Sequence, residues 1–308
     1  MRKYLVGVDV GGTSIKFGKF DTTGELLTKW SIRTDKTNNG DNILKDVAES
    51  IKNAIPLNEV KGIGIGVPGP VTNNIVLHCV NLGWGRVNIE RELGKLINDS
   101  EITVKAGNDA TLAAAGEMYK GIAKGYDVVV LFTLGTGIGG GVIFKDELVE
   151  GINGVGGELG HMQVDFKHNF TCGCGKRGCL ETVASATGII NLAKSNLRKS
   201  KSQSPLRRFE TFSAKKVFDY AKEGDYIAKK TIDEAMKYLA FAMANVTYTI
   251  NPEIIVIGGG VSNAGNYIIE QIEKHYYEMV KPFISHTNFA IASLGNEAGI
   301  YGCCYMVK

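Results

Sequence analysis

The chain of 308 residues has few of the features that direct a protein to nucleic acid or to a membrane. Its formal net charge is only +3, which is too small to favour nucleic acid as a partner. The apolar run that starts at Tyr4 is interrupted by Asp9, so we predict no signal peptide and no membrane-spanning segment. Prolines number only six, and the six cysteines suit a reducing compartment with buried or metal-bound thiols. We therefore expect a cytoplasmic protein.

Glycine is the residue type that the chain has in excess. Its 39 glycines exceed the roughly 22 that an average usage of about 7% would give. Three glycine-rich turns follow strand-like apolar segments, and backbone N–H groups without side chains around them can bind phosphate oxygens. We therefore predict nucleotide binding at these turns, which comprise Asp9–Thr13, Gly135–Gly141 and Gly258–Val261.

Two common nucleotide-binding motifs do not explain these turns. The chain contains no P-loop of the form G-x-x-x-x-G-K-[ST]. The dinucleotide pattern G-x-G-x-x-G occurs at residues 135–140, but an apolar strand follows it instead of the helix that a Rossmann site requires. The same pattern occurs at residues 64–69, where Pro68 interrupts it. A Rossmann fold is therefore excluded.

The order of the predicted elements indicates an internal repeat. Residues 4–32 predict three strands joined by a glycine-rich turn and an acidic turn, and residues 127–149 repeat this pattern. We expect two related domains facing one another: an N-terminal domain of residues 1–115 joined by a C-terminal helix at 295–308, and a second domain of residues 116–294. Helical periodicity predicts further helices at residues 41–55, 90–97, 110–119, 215–223 and 226–249, and short apolar runs predict further strands at 63–67, 102–106 and 254–257.

A histidine and three cysteines lie within nineteen residues of one another. His161, Cys172, Cys174 and Cys179 have the ligand types of a closed tetrahedral zinc site. The glycines between the cysteines allow the loop to curl around one ion. Because a closed site leaves no open coordination position, the ion would shape a pocket and not perform chemistry. The alternatives are a structural zinc knuckle unrelated to function, or buried cysteines without metal.

Two aspartates adjoin predicted strand ends. Asp9 ends a buried strand, where a carboxylate is costly unless it is paired or near a cation. It could lie near a phosphate-bound Mg²⁺, usually through water, or it could accept hydrogen bonds from the turn backbone. Asp109 opens a helix, and its position alone also fits a helix N-cap worth about 1 kcal/mol.

Together these features resemble the ROK family of sugar kinases, within the actin-like ATPase (ribonuclease H-like) superfamily. The resemblance extends over the whole chain, and the C-G-C-G-x-x-G-C-x-E run is its most specific part. One departure is Val80, where the family commonly has proline before Asn-Leu. The segments that carry the resemblance are Asp9–Thr13, Gly66–Gly69, Asn81–Trp84, Asn108-Asp109, Leu134–Gly141, Glu158–His161, Cys172–Glu181 and Gly258–Val261.

The resemblance implies an α/β fold of the actin-like type, with two related domains around a central cleft, and a role for each matching residue. Asp109 would be the general base that takes the proton from the attacking sugar hydroxyl. Sugar hydroxyls would be bound by Asn81, Asn108, Asp109, Glu158, His161 and Glu181. ATP and Mg²⁺ would be bound through Asp9, Gly11, Gly12, Thr13, Lys16, Gly135, Thr136, Gly137, Gly139, Gly258, Gly259 and Gly260. The structural Zn²⁺ would be held by His161, Cys172, Cys174 and Cys179.

The resemblance favours glucose as the substrate and glucose 6-phosphate as the product. Cys174 supports an aldohexose, since the fructokinase branch tends to replace this cysteine with a more distant histidine. N-acetylmannosamine and N-acetylglucosamine kinases of the family share nearly all of these residues, so they and a fructokinase are the alternatives. A homodimer is usual in the family.

Two other classes of protein fit the sequence less well. A sugar-responsive transcription repressor shares the sugar-binding part, but the first strand begins at residue 4 and we expect no DNA-binding domain before it. Retention of Asp109 also favours catalysis over a non-catalytic sugar sensor. A zinc-ribbon nucleic-acid binder is disfavoured because the cluster is single and its surroundings are nearly neutral.

Overall fold

The computed structural model describes residues 2–167, 169–284 and 286–308. The strands form where apolar residues occur in short runs, and the central strands are buried along most of their length. The strands are β1 Tyr4–Val10, β2 Ser14–Asp21, β3 Leu26–Arg33, β4 Val60–Val67, β5 Val71–Thr72, β6 Ile75–Val76, β7 Val87–Asn88, β8 Thr103–Asn108, β9 Val128–Leu134, β10 Ile138–Phe144, β11 Glu147–Leu148, β12 Ile254–Gly258 and β13 Asn288–Ile291.

Five of the helices that the structure describes begin at polar residues that cap their first turn. Side chains of Asn88, Asn108, Ser185, Ser213 and Asp225 each accept a hydrogen bond from a backbone N–H of the helix that follows. The helices are α1 Ile43–Ala54, α2 Ile89–Ile97, α3 Asp109–Lys120, α4 Glu181–Ala184, α5 Ala186–Lys199, α6 Ala214–Lys222, α7 Tyr226–Ile250, α8 Asn266–Val280 and α9 Ala298–Val307. Short 3₁₀ turns lie at 37–40, 57–59, 80–82, 159–161, 205–208, 260–264 and 295–297.

Two five-stranded sheets have the same strand order. The first is β3-β2-β1-β4-β8 and the second is β11-β10-β9-β12-β13. In the first sheet β4 pairs in parallel with β1 and β8. In the second sheet β12 pairs in parallel with β9 and β13. The sequence repeat therefore corresponds to a repeated sheet topology. A third sheet, β5-β6-β7, consists of two-residue strands.

The chain divides into two compact units, each built from separated segments. Unit 1 comprises Met1–Gly125, Gly141–Gly157 and Ser293–Lys308, and unit 2 comprises Tyr126–Gly140 and Glu158–Ala292. The domain boundary expected between residues 115 and 116 stays a prediction.

Helix α9 packs in unit 1 at very short range. A Cβ at Gly302 would lie 1.7 Å from the carbonyl oxygen of Leu112 on α3, and one at Gly64 would lie 1.9 Å from the carbonyl oxygen of Cys303. Only glycine permits these backbone contacts, because no other residue leaves the space of a Cβ empty. The predicted C-terminal helix therefore exists and is held against β4 and α3.

Some element boundaries differ from those predicted. The strand expected at 102–106 is observed at Thr103–Asn108, so Asn108 belongs to the strand and also caps the next helix. The edge strand β13 was not predicted, since its four residues are only half-buried. Within the described part of the chain, no helix combines the length and the apolar character needed to cross a membrane.

Candidate active site

The parallel strands of unit 1 end together at one edge of its sheet. Asp9 of β1 pairs with Gly66 of β4, which in turn pairs with Gly107 of β8. Asn108 is the next residue, paired with Val67. In open α/β sheets, ligands bind beyond the carboxyl ends of parallel strands. The sheet register thus brings the Asp9 turn, the Gly66–Gly69 segment and Asp109 to the same edge.

Asp9 is a mostly buried carboxylate with a single cation close to it among the described residues. Its side chain is 19% exposed, and its Oδ2 lies 3.5 Å from Lys16 Nζ. Burial raises the pKa of Asp9, and the nearby Lys16 ammonium partly offsets this rise. A Cβ at Gly299 would lie 2.9 Å from Asp9 Cγ, so helix α9 reaches the carboxylate only because residue 299 is glycine.

The predicted phosphate turn Gly11–Thr13 is held from below by a residue that we did not predict. Thr34 Oγ1 donates to the Gly11 carbonyl at 2.7 Å, and the Thr34 N–H donates to the Thr13 carbonyl at 3.1 Å. Thr34 is buried, whereas Gly12 has no heavy atom within 4 Å of a built Cβ. The turn is therefore fixed at its base and open at its tip, as phosphate binding requires.

At the start of α3, Asn108 and Asp109 occupy different helix positions and make different hydrogen bonds. Asn108 is the N-cap, since its Oδ1 accepts from Thr111 N at 3.0 Å, and its Nδ2 donates to the Gly69 carbonyl at 3.0 Å. Asp109 is the first helical residue, and its Oδ1 accepts from Ala110 N at 2.8 Å. The reading of Asp109 as an N-cap is therefore wrong. The helix N-terminus favours a negative charge on Asp109, which suits a general base.

Asn81 lies exposed in the 3₁₀ turn 80–82, and its neighbours hold that turn. Cys79 and Trp84 exchange backbone hydrogen bonds of 2.8 and 3.0 Å, and Trp84 Nε1 donates to the Gly40 carbonyl at 3.1 Å. Val80, the departure from the family pattern, is 87% exposed, so its side chain contributes little to holding the turn.

Cys79 is the N-cap residue of the 3₁₀ turn that carries Asn81, and sequence reasoning missed it. The thiol is buried in the unit 1 core. Burial raises its pKa, and the negative charge of Asp109 raises it further. No sequence motif includes Cys79, so only the fold shows that it lies buried next to the Asn81 turn.

Two glycine turns of unit 2 lie side by side at the ends of β9 and β12. Gly258 pairs with Thr133, and a Cβ at Gly259 would lie 2.6 Å from the carbonyl oxygen of Leu134. Gly259 has φ +80°, which favours glycine. Thr136 and Gly260 are exposed at the tips of the two turns. The structure thus brings the predicted turns 135–139 and 258–260 together.

The four predicted zinc ligands converge in unit 2. All four ligand atoms lie within 4.8 Å of one another. Cys174 Sγ and Cys179 Sγ are 3.8 Å apart, and Cys172 Sγ is 3.6 Å from His161 Nδ1. A tetrahedral ion with Zn–S of about 2.3 Å and Zn–N of about 2.0–2.1 Å separates its sulfurs by about 3.8 Å and a sulfur from a nitrogen by about 3.6 Å. The site fits Zn²⁺, and a 3.8 Å sulfur separation excludes a disulfide.

The surroundings of two of the three thiols, Cys172 and Cys179, favour the protonated form unless a cation is present. Burial raises the pKa of Cys172 to about 12 and also raises the pKa of Cys179. A coordinated thiol loses its proton to the charge of the metal. The donor set of three sulfurs and one imidazole therefore agrees with zinc in chemistry as well as in spacing.

His161 has its two ring nitrogens on different partners. Nδ1 faces Cys172, whereas Nε2 lies 3.8 Å from Glu158 Oε2. This arrangement leaves Nε2 and the Glu158 carboxylate, both half-buried, next to each other outside the cluster. Such a pair offers a polar surface for hydroxyl groups.

Glu181 begins α4, two residues after Cys179, and has a partner for each carboxylate oxygen. Oε1 lies 3.5 Å from the Cys172 thiol, and Oε2 accepts from Ile138 N at 3.0 Å. Sequence reasoning placed Glu181 beside the zinc loop, but its contact with the glycine turn was not predicted.

Glu117 is a second carboxylate that the motifs did not reveal. It is fully buried on α3 and accepts hydrogen bonds from Ile122 N, Ser293 Oγ and Leu294 N, at 3.0, 2.9 and 2.8 Å. The carboxylate thereby fixes the segments of unit 1 that adjoin residues 126 and 292, where the chain leaves unit 1 and returns to it.

The repeated sheet order, the glycine turns at strand ends and the carboxylate at the start of α3 define a phosphotransferase of the actin-like ATPase fold, as the sequence predicted. The ROK family profile matches residues 5–308. This chain belongs to the ROK family.

Two bacterial glucokinases match this chain along nearly their whole length. A glucokinase of Halalkalibacterium halodurans is 38% identical over 317 residues, which cover 99% of this chain and 95% of that protein. A glucokinase of Thermotoga maritima is 36% identical over 311 residues, with 99% and 97% covered. The crystal structure of a ROK family glucokinase from Streptomyces griseus, in complex with glucose and AMPPNP, has a TM-score of 0.78 and 29% identity, and 98% of each chain is covered.

Proposed function

We propose that the protein is a glucokinase, which transfers the γ-phosphoryl group of ATP to the 6-hydroxyl of glucose. The observation that carries this proposal is the position of Asp109 at the helix N-terminus, beside the same sheet edge as the Asp9 phosphate turn. The two glucokinases that are 36–38% identical support glucose as the acceptor.

Phosphoryl transfer depends on positioning and on neutralising charge more than on covalent chemistry. Asp109 accepts the proton of the attacking hydroxyl, and a positioned base of this kind contributes about 10²–10⁴-fold. In unit 1, Asn81 and Asn108 bind sugar hydroxyls. In unit 2, Glu158, His161 and Glu181 do so, and the exposed Nε2 side of His161 supports this role.

The nucleotide is bound by residues of the glycine turns. In unit 1 these are Gly11, Gly12 and Thr13, with Lys16 beside them. In unit 2 they are Gly135, Thr136, Gly137, Gly139 and Gly258–Gly260, of which Thr136 and Gly260 are exposed. A bound Mg²⁺ would neutralise phosphate charge, and Asp9 fits a place near it because its buried carboxylate has only Lys16 as a neighbouring cation among the described residues.

The zinc ion is structural. With His161, Cys172, Cys174 and Cys179 as ligands, no coordination position remains for a substrate. Zinc would therefore fix the loop that presents Glu158, His161 and Glu181, and its loss would first weaken sugar binding.

The test is a coupled ADP-release assay with Mg-ATP and a panel of glucose, mannose, fructose, N-acetylglucosamine and N-acetylmannosamine. We expect glucose to exceed every other sugar at least tenfold in kcat/KM. A preference for an N-acetyl sugar or for fructose would keep the chemistry and replace the substrate. Measurable sugar binding without turnover of any sugar would overturn the kinase function and leave a sugar sensor.

The assembly proposed is a homodimer formed through an aromatic patch on unit 2. Phe166 is 70% exposed and packs edge-to-face on Phe241, with ring centroids 6.4 Å apart. A cavity of about 330 Å³ lies beside them and is also lined by Tyr238 and Met279. An exposed aromatic side chain beside an apolar cavity supports the proposal that a second copy of the chain binds here. Light scattering after size exclusion should give twice the chain mass, and Phe166→Asp should give the monomer; a monomeric wild type would contradict the dimer.

The compartment proposed is the cytoplasm, because the zinc ligands must stay reduced to bind metal. Fractionation of the native host with an antibody against the chain should place it with cytoplasmic markers, and recovery elsewhere would contradict this.

A further inference from the structure

The zinc loop and a glycine turn of unit 2 are joined by one side chain. Glu181 follows Cys179 by two residues, and its Oε1 lies 3.5 Å from the thiol of Cys172. Its other oxygen, Oε2, accepts a hydrogen bond of 3.0 Å from the backbone N–H of Ile138. The carboxylate therefore contacts a proposed zinc ligand on one side and the turn on the other.

The turn leaves space for this carboxylate only because residue 137 is glycine. A Cβ at Gly137 would lie 2.1 Å from Glu181 Oε2 and 2.9 Å from its carboxyl carbon. The residue does not have a positive φ, so backbone conformation alone would accept other residues here. The absence of a side chain is therefore explained by the neighbouring carboxylate.

The rest of the turn is held by the same part of the chain. Ala186 at the start of α5 donates its N–H to the Gly135 carbonyl at 2.9 Å, and Gly135 N donates to the Gly137 carbonyl at 2.9 Å. Residues 181–186 thus contribute two of the hydrogen bonds that fix residues 135–138. The exposed Thr136 lies between the fixed points.

We propose that Glu181 is a positioning residue for the nucleotide: it holds the Gly135–Gly139 turn in its phosphate-binding shape and joins that turn to the zinc loop. This inference rests on the proposed function, since it takes the turn to be the nucleotide site. It adds a second role to a residue whose expected task is to bind sugar. It also means that the zinc loop supports nucleotide binding as well as sugar binding.

The test measures nucleotide affinity in the absence of sugar, by calorimetric titration of the full chain with Mg-ADP. A residue that only bound sugar would not change this affinity. Glu181→Ala should raise the Kd for Mg-ADP about tenfold, equivalent to about 1.4 kcal/mol. Glu181→Gln keeps an acceptor for Ile138 N and should raise it no more than about threefold. Glu210→Ala, which removes an exposed carboxylate of unit 2 outside the turn and the zinc loop, should leave the Kd within about twofold.

A double-mutant cycle shows whether Glu181 acts through the turn. Gly137→Ala alone should weaken Mg-ADP binding, because its methyl group collides with the carboxylate. In Gly137→Ala/Glu181→Ala the methyl group enters vacated space, so the combined effect should be clearly smaller than the product of the single effects. Thermal unfolding of each variant identifies any that does not fold, and Glu181→Gln with Gly137→Ala still tests the contact if Glu181→Ala fails.

The outcomes separate this inference from the proposed function. If the wild type binds Mg-ADP and Glu181→Ala binds it equally well, the positioning role is overturned and the kinase proposal stands. Effects that multiply in the double variant would also overturn it. If the folded wild type binds no nucleotide, both the kinase proposal and this inference fail.

Discussion

Replacing Gly259 by alanine should damage the nucleotide turns of unit 2 more than any other single methyl group added there. The residue lies between β12 and the 3₁₀ turn 260–264, at φ +80° and ψ 176°. An added Cβ would lie 2.6 Å from the carbonyl oxygen of Leu134 and 2.7 Å from its backbone N and C. These are backbone atoms of a buried strand, so they cannot move aside as a flexible side chain would.

The magnitude follows from two separate costs. A non-glycine residue in this region of backbone conformation costs about 1–3 kcal/mol. Forcing a methyl group into a packed interior costs about 1–3 kcal/mol more. The sum is about 2–6 kcal/mol, or a fall in Tm of roughly 3 °C at the least for a chain of 308 residues. Because the Leu134 end of β9 leads directly into the Gly135 turn, the displacement should also weaken Mg-ADP binding.

The assay compares Gly259→Ala with Gly260→Ala, its neighbour. Gly260 has no atom within 4 Å of a built Cβ and no positive φ, so its replacement should change stability by no more than about 0.5 kcal/mol. Thermal unfolding followed by circular dichroism, and Mg-ADP titration, are measured for both. Equal Tm values for the two variants would refute the packing of the two turns described above.

Three further predictions test other parts of the account. The purified protein should contain one zinc per chain by plasma mass spectrometry, and Cys174→Ser should lose most of it; undiminished metal in that variant would place the metal elsewhere. Glu117→Ala should cost about 2 kcal/mol by denaturant unfolding, since it removes a fully buried carboxylate and leaves three part-buried donors without this acceptor, and a loss under about 1 kcal/mol would contradict this. Asp165 is fully buried and accepts from Lys167 N and Asn169 N next to the zinc loop; Asp165→Ala should therefore speed zinc release to a chelator, whereas Asp21→Ala, which removes an exposed turn acceptor, should not, and equal release rates would argue against a link to zinc.

The parts of the site that the sequence predicted are those encoded locally. The zinc ligands lie within nineteen residues, and their residue types and spacing alone suggest the metal. The glycine turns follow apolar strands directly, so both the strand and the turn are visible in one short window. The repeat of this window predicts two related domains, and the two five-stranded sheets have the same strand order.

The parts that it could not predict depend on contacts between distant residues. Glu181 meets Ile138 across 43 positions, and Glu117 meets Ser293 across 176. Neither contact leaves a local pattern, because a glutamate on a helix looks the same whether it is solvated or buried. Thr34 and Cys79 are likewise recognisable only from the fold. Thr34 hydrogen-bonds to the Gly11 turn, and Cys79 hydrogen-bonds across the Asn81 turn.

The assignment at the start of α3 shows how a local pattern can mislead. Asn and Asp are both favoured N-caps, so the Asn108-Asp109 pair does not reveal which residue caps the helix. The strand extends two residues further than predicted, and this places Asn108 at the cap and Asp109 inside the helix. The extra length comes from parallel pairing with β4, which a single sequence does not display.

The most direct test of the central claim is the turnover of Asp109→Asn with glucose and Mg-ATP, together with its glucose affinity. The account predicts that kcat falls at least about 10²-fold, while the Kd for glucose changes much less, because the amide keeps a similar shape and only loses the ability to take a proton. A variant that retains kcat within about threefold of the wild type would contradict Asp109 as the general base.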